Sequence, residues 1–285
     1  MIPVAFDYVR ATSVEDALAA LGQGGEDAKV LGGGQSLIPV LRLRLSAPTV
    51  LIDVSRVDAM RGVSQDGDHL VIGAATTHHD VMTDALVRQH VPLLAQALST
   101  VADPAVRHRG TFGGSLSHAD PAGDMGGVAL ALDCEMVATG PSGTRTIAAS
   151  DFFVGFLETA LGEGEILTQI RVPVLGDGWG YHYEKFNRVA QAWSIVAVAV
   201  AVRREDGRIA EARIGLTNMG PTPLRASGVE AALAGAEATR EAIAAAAERA
   251  AEGTSPSSDL NGQADYREHL ATVLTRRAVT AAAGL

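Results

Sequence analysis

Cysteine is nearly absent: Cys134 is the single one in 285 residues. An internal disulfide is therefore excluded, and so is an iron–sulfur cluster held by this chain alone, which takes four thiolates. Cys134 sits in the apolar stretch 132–137 and reads as a small buried hydrophobe. Any electron transfer by this chain calls for an organic cofactor. Lysine is almost as scarce, with Lys29 and Lys185 set against 21 arginines. A lysine kept in an arginine-using chain either survives by chance or marks a place for a compact ammonium rather than a planar fork. Excess basic charge is missing too. The formal charge of −10 argues against nucleic acid as a partner, because a phosphate backbone needs a basic face. One small phosphate-bearing ligand is still compatible, since converging backbone N–H groups bind phosphate without net charge. No apolar run reaches the roughly 18 residues of a membrane span; the longest, 195–202, suits a strand. The start, Met1 to Asp7, has neither a basic head nor an apolar stretch, so no secretory signal is expected. The expected location is cytoplasmic, not integral to a membrane.

What is present is core-forming material: 47% of residues are hydrophobic, enough for two domains of ordinary size. Ser13, followed by Asp16, signals the start of a helix with Val14, Leu18 and Leu21 on one face, ended by Gly24-Gly25. Strands are expected at 29–31, 50–54 and 70–73, helices at 77–89 and 92–101, and a break at Asp103-Pro104. A long glycine-rich loop is expected over 110–127, then strands at 134–138 and 145–148. Gly176-Asp177-Gly178 reads as a linker. Beyond it the pattern predicts an antiparallel sheet of three strands, 181–188, 194–203 and 208–217, and two alanine-rich helices, 227–252 and 265–283. The expected division is 1–176 (parts 1–55 and 56–176) and 177–285, in an α+β fold.

Two glycine clusters carry the chemistry, Gly32-Gly33-Gly34-Gln35-Ser36 and Thr111-Phe112-Gly113-Gly114-Ser115. Glycine permits positive φ and close backbone approach, so successive N–H groups can converge on phosphate oxygens. Two such loops, one per phosphate, suit a pyrophosphate and hence a dinucleotide. Neither matches GxGxxG or GxxxxGK[ST], which disfavours Rossmann and P-loop readings. In the following segment, His118-Ala119-Asp120-Pro121-Ala122-Gly123-Asp124, a carboxylate either accepts from ribose hydroxyls or shapes an Asx-type turn. The adjacent His78-His79 point to different sides of a helix and read as a helix start, not as metal ligands. No metal site, general base or nucleophile is expected.

Leu31 to Leu37, then Ala102-Asp103-Pro104 with Arg107, Arg109 and Gly110 to Ser115, then Ala119 to Asp124, occur in an order and spacing that resembles the FAD-binding subunit of the carbon monoxide dehydrogenase/xanthine dehydrogenase family. Tyr183-Glu184-Lys185-Phe186 and Gly220-Pro221-Thr222-Pro223-Leu224-Arg225 extend the likeness over nearly the whole chain. The resemblance implies a vanillyl-alcohol-oxidase-type (PCMH) fold of two α/β subdomains, plus a C-terminal domain with a three-stranded sheet and helices. It implies non-covalent FAD, with Leu31, Gly32, Gly33, Gly34, Gln35, Ser36 and Leu37 on one side of the pyrophosphate. Gly110, Thr111, Gly113, Gly114 and Ser115 would stand on the other. Thr77, Val101, Ala102, Ser117, Gly123 and Leu167 would line the cofactor, and Asp124 would reach ribose or ribityl hydroxyls. Lys185 would sit near the flavin ring, where a cation favours the anionic reduced state. Trp193 would either stack on that ring or pack in the core at a strand start.

The same resemblance implies an oxidoreductase complex, with a large molybdenum-cofactor subunit, a small [2Fe-2S] subunit and a dimer of heterotrimers. Carbon monoxide, an N-heterocycle, a purine or an aldehyde would be oxidised in the large subunit. FAD here would relay electrons to a quinone, NAD or oxygen. Carbon monoxide dehydrogenase subunits of this type read Gly-Gly-His-Ser in the first loop; Gln35 departs from that, which weakens carbon monoxide as the substrate. The competing readings are a free-standing FAD-dependent oxidase or reductase and a scaffold without FAD.

Overall fold

The computed structural model describes residues 2–285; Met1, with which the start discussed above begins, lies outside them. Strand β1 (Asp7–Arg10) leads into helix α1 (Val14–Gly24), whose N-cap Ser13 accepts from the Asp16 amide as its spacing predicts. Strand β2 (Ala28–Leu31), helix α2 (Leu37–Arg42) and strand β3 (Val50–Asp53) complete a parallel sheet of order β1-β3-β2.

The second part begins with strands β4 (Val63–Asp66) and β5 (His69–Gly73). The helix expected at 77–89 is two helices, α3 (His78–Thr83) and α4 (Ala85–His90). Asp84 separates them: its backbone is extended, and its carboxylate caps α4 by accepting from the Leu86 and Val87 amides. Helix α5 (Pro92–Ser99) follows, and Asp103 caps α6 (Pro104–Arg107), so Asp103-Pro104 starts a short helix as well as breaking the pattern.

The expected loop at 110–127 is largely helical, with α7 (Phe112–His118) and α8 (Asp124–Ala131). Paired glycines within each helix cost roughly 1 kcal/mol apiece relative to alanine, which is why local propensity hides them. Burial decides instead: in α8 all but Gly126 are buried, so the helix runs between two layers. Strands β6 (Glu135–Gly140) and β7 (Gly143–Ala148), helix α9 (Ala149–Phe152), the small hairpin β8 (Phe153–Gly155) and β9 (Glu158–Thr159), and strand β10 (Ile166–Pro173) close this part. Its five-stranded antiparallel sheet has the order β4-β5-β10-β6-β7.

The third part holds β11 (Trp179–Phe186), β12 (Val196–Glu205) and β13 (Arg208–Thr217). A fourth strand, β14 (Leu224–Arg225), pairs with β13, so the expected three-stranded sheet has four strands. It is two residues long because Pro221 and Pro223, lacking N–H donors, cannot extend the ladder. The alanine-rich stretch 227–252 divides into α10 (Ser227–Leu233) and α11 (Arg240–Ala247), parted at Gly235 with φ +75°. Between them Ala236 O accepts from the Ile209 amide, so the chain follows β13 instead of continuing the helix. Helix α12 (Ala264–Ala282) ends the chain.

Strand β12 explains how the third part meets the others. Val196, Val198, Val200 and Val202 face the third part's own core, whereas Ala197 and Ala199 join the core shared with the first two parts. This period-2 alternation places large side chains where helices α10 to α12 cover the sheet and small ones toward α8. The approach is closest at β13, where a Cβ on Gly215 would lie 1.9 Å from the Gly127 carbonyl oxygen of α8. Gly215→Ala should therefore lower the unfolding free energy by about 1–3 kcal/mol in urea denaturation. Gly22→Ala, which meets nothing within 4 Å in α1, should raise it by about 0.5–1 kcal/mol. Equal effects would refute the close-approach account.

Candidate functional site

The two glycine clusters meet face to face. A Cβ on Gly33 would stand 2.0 Å from the Arg109 carbonyl oxygen, and one on Gly32 2.8 Å from Thr111 Oγ1. Glycine at 33 is thus demanded by loop-on-loop packing; only Gly34, with φ +75°, needs glycine for its backbone conformation. The clusters are not equivalent. Among the described residues no acceptor meets the N–H groups of Gly33, Gly34, Gln35 and Ser36. In the second cluster Phe112 donates to Thr76 O, Gly113 to Ala74 O, Gly114 to Thr111 Oγ1 and Ser115 to Thr111 O. Those amides hold the second loop against the strand end and cap α7. Of the free backbone donors, four belong to the first loop and one, the Thr111 N–H, to the second.

Both clusters line a cavity of about 590 Å³. Its wall brings together Gly32 through Leu37, Val101, Ala102, Gly110, Thr111, Gly113, Gly114, Ser115, Ser117, Gly123, Asp124, Leu167, Lys185 and Trp193. Leu31 and Thr77 do not line it: Leu31 packs beside Gly34, and Thr77 caps α3 and bridges to Thr111. The sequence reading missed, among others, Lys29, Ala74, Ala75, His78 and Leu157, which also line the cavity, as does Asp120, the other carboxylate weighed in its segment, whose Oδ1 accepts from the Ala122 amide. Lysine scarcity pointed at Lys29, since both lysines of the chain face this one space; the alanines carry no chemical signal and are found only by their place after β5.

Asp124 opens α8 and is buried, as is the Lys185 side chain, each 5% exposed. Lys185 Nζ donates to Asp124 Oδ2 at 2.8 Å and to Thr100 O at 3.2 Å. Tyr183 and Ser194 hydroxyls donate to Oδ1 at 2.6 and 2.7 Å. Burial first, then the neighbouring carboxylate, pushes the Tyr183 phenol well above its ordinary value, so it remains a donor. Asp124 is therefore engaged within the chain, beyond the turn-forming role read from its segment.

Trp193 is 51% exposed, which excludes core packing. It forms part of the wall between the cavity and a second one of about 550 Å³, which also touches Asp120 and Ala192. Cys134 is buried and free, as expected, and burial pushes its thiol up. His79 stacks on His108 with ring centroids 3.9 Å apart, and no cluster of three metal-ligating side chains occurs among the described residues. No described helix is long and apolar enough to cross a membrane.

A cavity lined by two small α/β parts, with free amides in its wall and residues of a third part completing it, is the architecture of a protein that holds an extended cofactor. Comparison with known proteins gives its kind. Residues 4–175 match the FAD binding domain in molybdopterin dehydrogenase, and residues 181–282 the CO dehydrogenase flavoprotein C-terminal domain. The carbon monoxide dehydrogenase medium chain of Hydrogenophaga pseudoflava is 42% identical over 99% of this chain and 98% of its own. The 6-hydroxypseudooxynicotine dehydrogenase complex subunit alpha of Paenarthrobacter nicotinovorans is 36% identical over 99% of this chain and 96% of its own. A solved structure of the Hydrogenophaga pseudoflava enzyme lacking the Mo-pyranopterin moiety superposes with a TM-score of 0.97 at 43% identity, covering 99% of this chain and 98% of that one. The chain belongs to the family of FAD-binding flavoproteins of the molybdopterin dehydrogenases, and its fold is theirs.

His78 yields a test independent of any ligand. Burial, then the Arg107 charge, lowers its pKa from 6.5 to about 4, and its Nδ1 has no partner. The unfolded chain takes up a proton on this residue from about pH 6.5 downward, the folded chain only near pH 4. The stabilisation is thus fully present above pH 6.5 and lost as pH falls toward 4, by about 3 kcal/mol. The stability difference between wild type and His78→Leu should shift by that amount, against the wild type, between pH 7 and 4. A pH-independent difference would contradict a neutral buried His78.

Proposed function

We propose that this chain is the FAD-carrying, electron-transfer subunit of a molybdenum hydroxylase complex. The carrying observation is one cavity whose wall carries two unlike features: the four free amides of Gly33 to Ser36, and the buried Lys185 ammonium. Free amides suit phosphate oxygens, and a buried cation suits a ring that gains negative charge. The residues present therefore fit FAD. In this reading residues 1–176 hold the cofactor, and residues 177–285 supply Lys185 and Trp193. The pyrophosphate would lie against Gly32–Ser36 and the Thr111 and Ser115 hydroxyls. Val101, Ala102, Gly110, Gly123 and Leu167 would flank the rest, and the indole of Trp193 would cover the ring.

Bound FAD supplies a two-electron store between a one-electron donor and an acceptor. The chain's own residues bind it, orient it and set the charge beside it; substrate chemistry belongs elsewhere. The partners proposed are a large molybdenum-cofactor subunit and a small [2Fe-2S] subunit, in a dimer of heterotrimers. A single cysteine leaves this chain unable to hold a Cys₄ cluster itself. The chain's relatives serve carbon monoxide dehydrogenase and 6-hydroxypseudooxynicotine dehydrogenase. The same scaffold thus accords with different oxidised substrates, and the acceptor proposed is a quinone, NAD or oxygen. A cytoplasmic location is part of the proposal, in keeping with a free thiol and no disulfide.

The complex purified from its source should contain one FAD per copy of this chain, released intact by acid precipitation and identified by chromatography. FMN, or flavin remaining on the pellet, would contradict the reading. Native mass spectrometry should show two further chains, one with molybdenum and one with two-iron clusters; complete substrate turnover by this chain alone would support a free-standing oxidase instead. Gly33→Ala should abolish FAD retention, because its Cβ displaces the Arg109 backbone and separates the two loops.

A further inference from the structure

Tyr183 and Lys185 are two apart on β11, so both side chains leave the same face of the sheet. That face meets the N-terminus of α8, where Asp124 stands. An ionised carboxylate has about four lone-pair sites and an ammonium three protons. Oδ1 of Asp124 accepts from Tyr183 and Ser194, and Oδ2 accepts from Lys185. Of the three Lys185 protons, Asp124 and the Thr100 carbonyl take two. One N–H remains without a protein acceptor among the described residues, on a side chain that lines the cofactor cavity.

The arrangement divides the carboxylate's charge. Two neutral donors sit on the oxygen remote from the ammonium, and each hydrogen bond to a charged acceptor is stronger than a neutral one. Charge drawn toward Oδ1 is charge that no longer neutralises Lys185. We propose that Tyr183 and Ser194 are positioning residues for the flavin, which act through Asp124 to set how much positive charge Lys185 presents to it and where its remaining N–H points. The inference rests on the reading of the cavity as an FAD site with the ring beside Lys185. It gives β11 and the segment before β12 a part in setting the flavin potential, beyond holding the cavity wall.

The test is a spectroelectrochemical titration of the FAD-loaded full chain. Tyr183→Phe and Ser194→Ala should each shift the two-electron potential to more negative values, in the direction of Lys185→Met and by less, with FAD content retained. Adding Tyr183→Phe to an Asp124→Asn/Lys185→Met background, where the charge pair is gone, should shift nothing further. Should Tyr183→Phe lose FAD, Ser194→Ala carries the test, with Ser194→Thr restoring the wild-type potential. A shift with Lys185→Met but none with Tyr183→Phe or Ser194→Ala overturns the proposal and keeps Lys185 beside the ring. No shift with Lys185→Met overturns both. A Tyr183→Phe shift that persists in the uncharged background also overturns it, because the hydroxyl would then act without the ion pair.

Discussion

The buried ion pair between Asp124 and Lys185 is the constraint on which the rest of the site depends. Taking both charges out of water costs several kcal/mol per ion, and mutual attraction offsets this only if the remaining hydrogen-bonding capacity is met. Here the Tyr183 and Ser194 hydroxyls, the Thr100 carbonyl and the start of α8, whose dipole favours a carboxylate, meet most of it, and one Lys185 N–H is left toward the cavity. Removing one partner of such a pair typically costs about 3–5 kcal/mol. Two parts of the chain more than fifty residues apart are thereby joined at the point where the cavity needs its cation.

That junction explains the glycines and alanines around it. For β11 to bring Lys185 to Asp124, α8 must lie close to the third part's sheet. Gly127 meets Gly215 backbone to backbone, and β12 turns Ala197 and Ala199 toward the shared core. Helix propensity is given up in α8 so that distance can be short. Between the two glycine clusters the same trade recurs, with Gly33 against the Arg109 carbonyl. Neither glycine cluster is a self-sufficient phosphate loop. The second is spent on its own capping and on packing, and its contribution is to hold the first, with its free amides, in place.

The two lysines give this economy a chemical reading. Both line the cavity, one buried beside Asp124 and the other exposed on β2 before the first loop. A compact, strongly hydrated ammonium can donate its three N–H groups in freely rotated directions, which a planar guanidinium cannot do in the space between Asp124, Thr100 and the cavity. Trp193, half exposed beside a second cavity, provides a surface where the cofactor space meets solvent.

Much of this was legible in the sequence where local chemistry decides. The Ser13 cap, the limits of β13 and the apolar β12 run follow from turn residues and period-2 or period-3.6 patterning. Motif order and spacing also picked out residues nearly all of which line the cavity, Leu31 and Thr77 excepted, although about as many further lining residues carry no such signal. Elements whose local propensity opposes their structure were not legible. Helices α7 and α8 carry paired glycines, and the expected long helices are cut at Asp84 and Gly235 by a side-chain cap and a positive φ. Strands β1, β4 and β14 are short; β1 is defined by a partner more than forty residues away, and β4 and β14 add too few residues to show a period-2 pattern. By itself the sequence determined the class of fold, the glycine clusters and the identity of the scarce lysines, because these are properties of composition and spacing. Only the tertiary structure decided that Asp124 pairs with Lys185, that the free amides lie mostly in the first loop, and that Tyr183 and Ser194 share the carboxylate. Those facts depend on which groups long-range packing leaves without other partners.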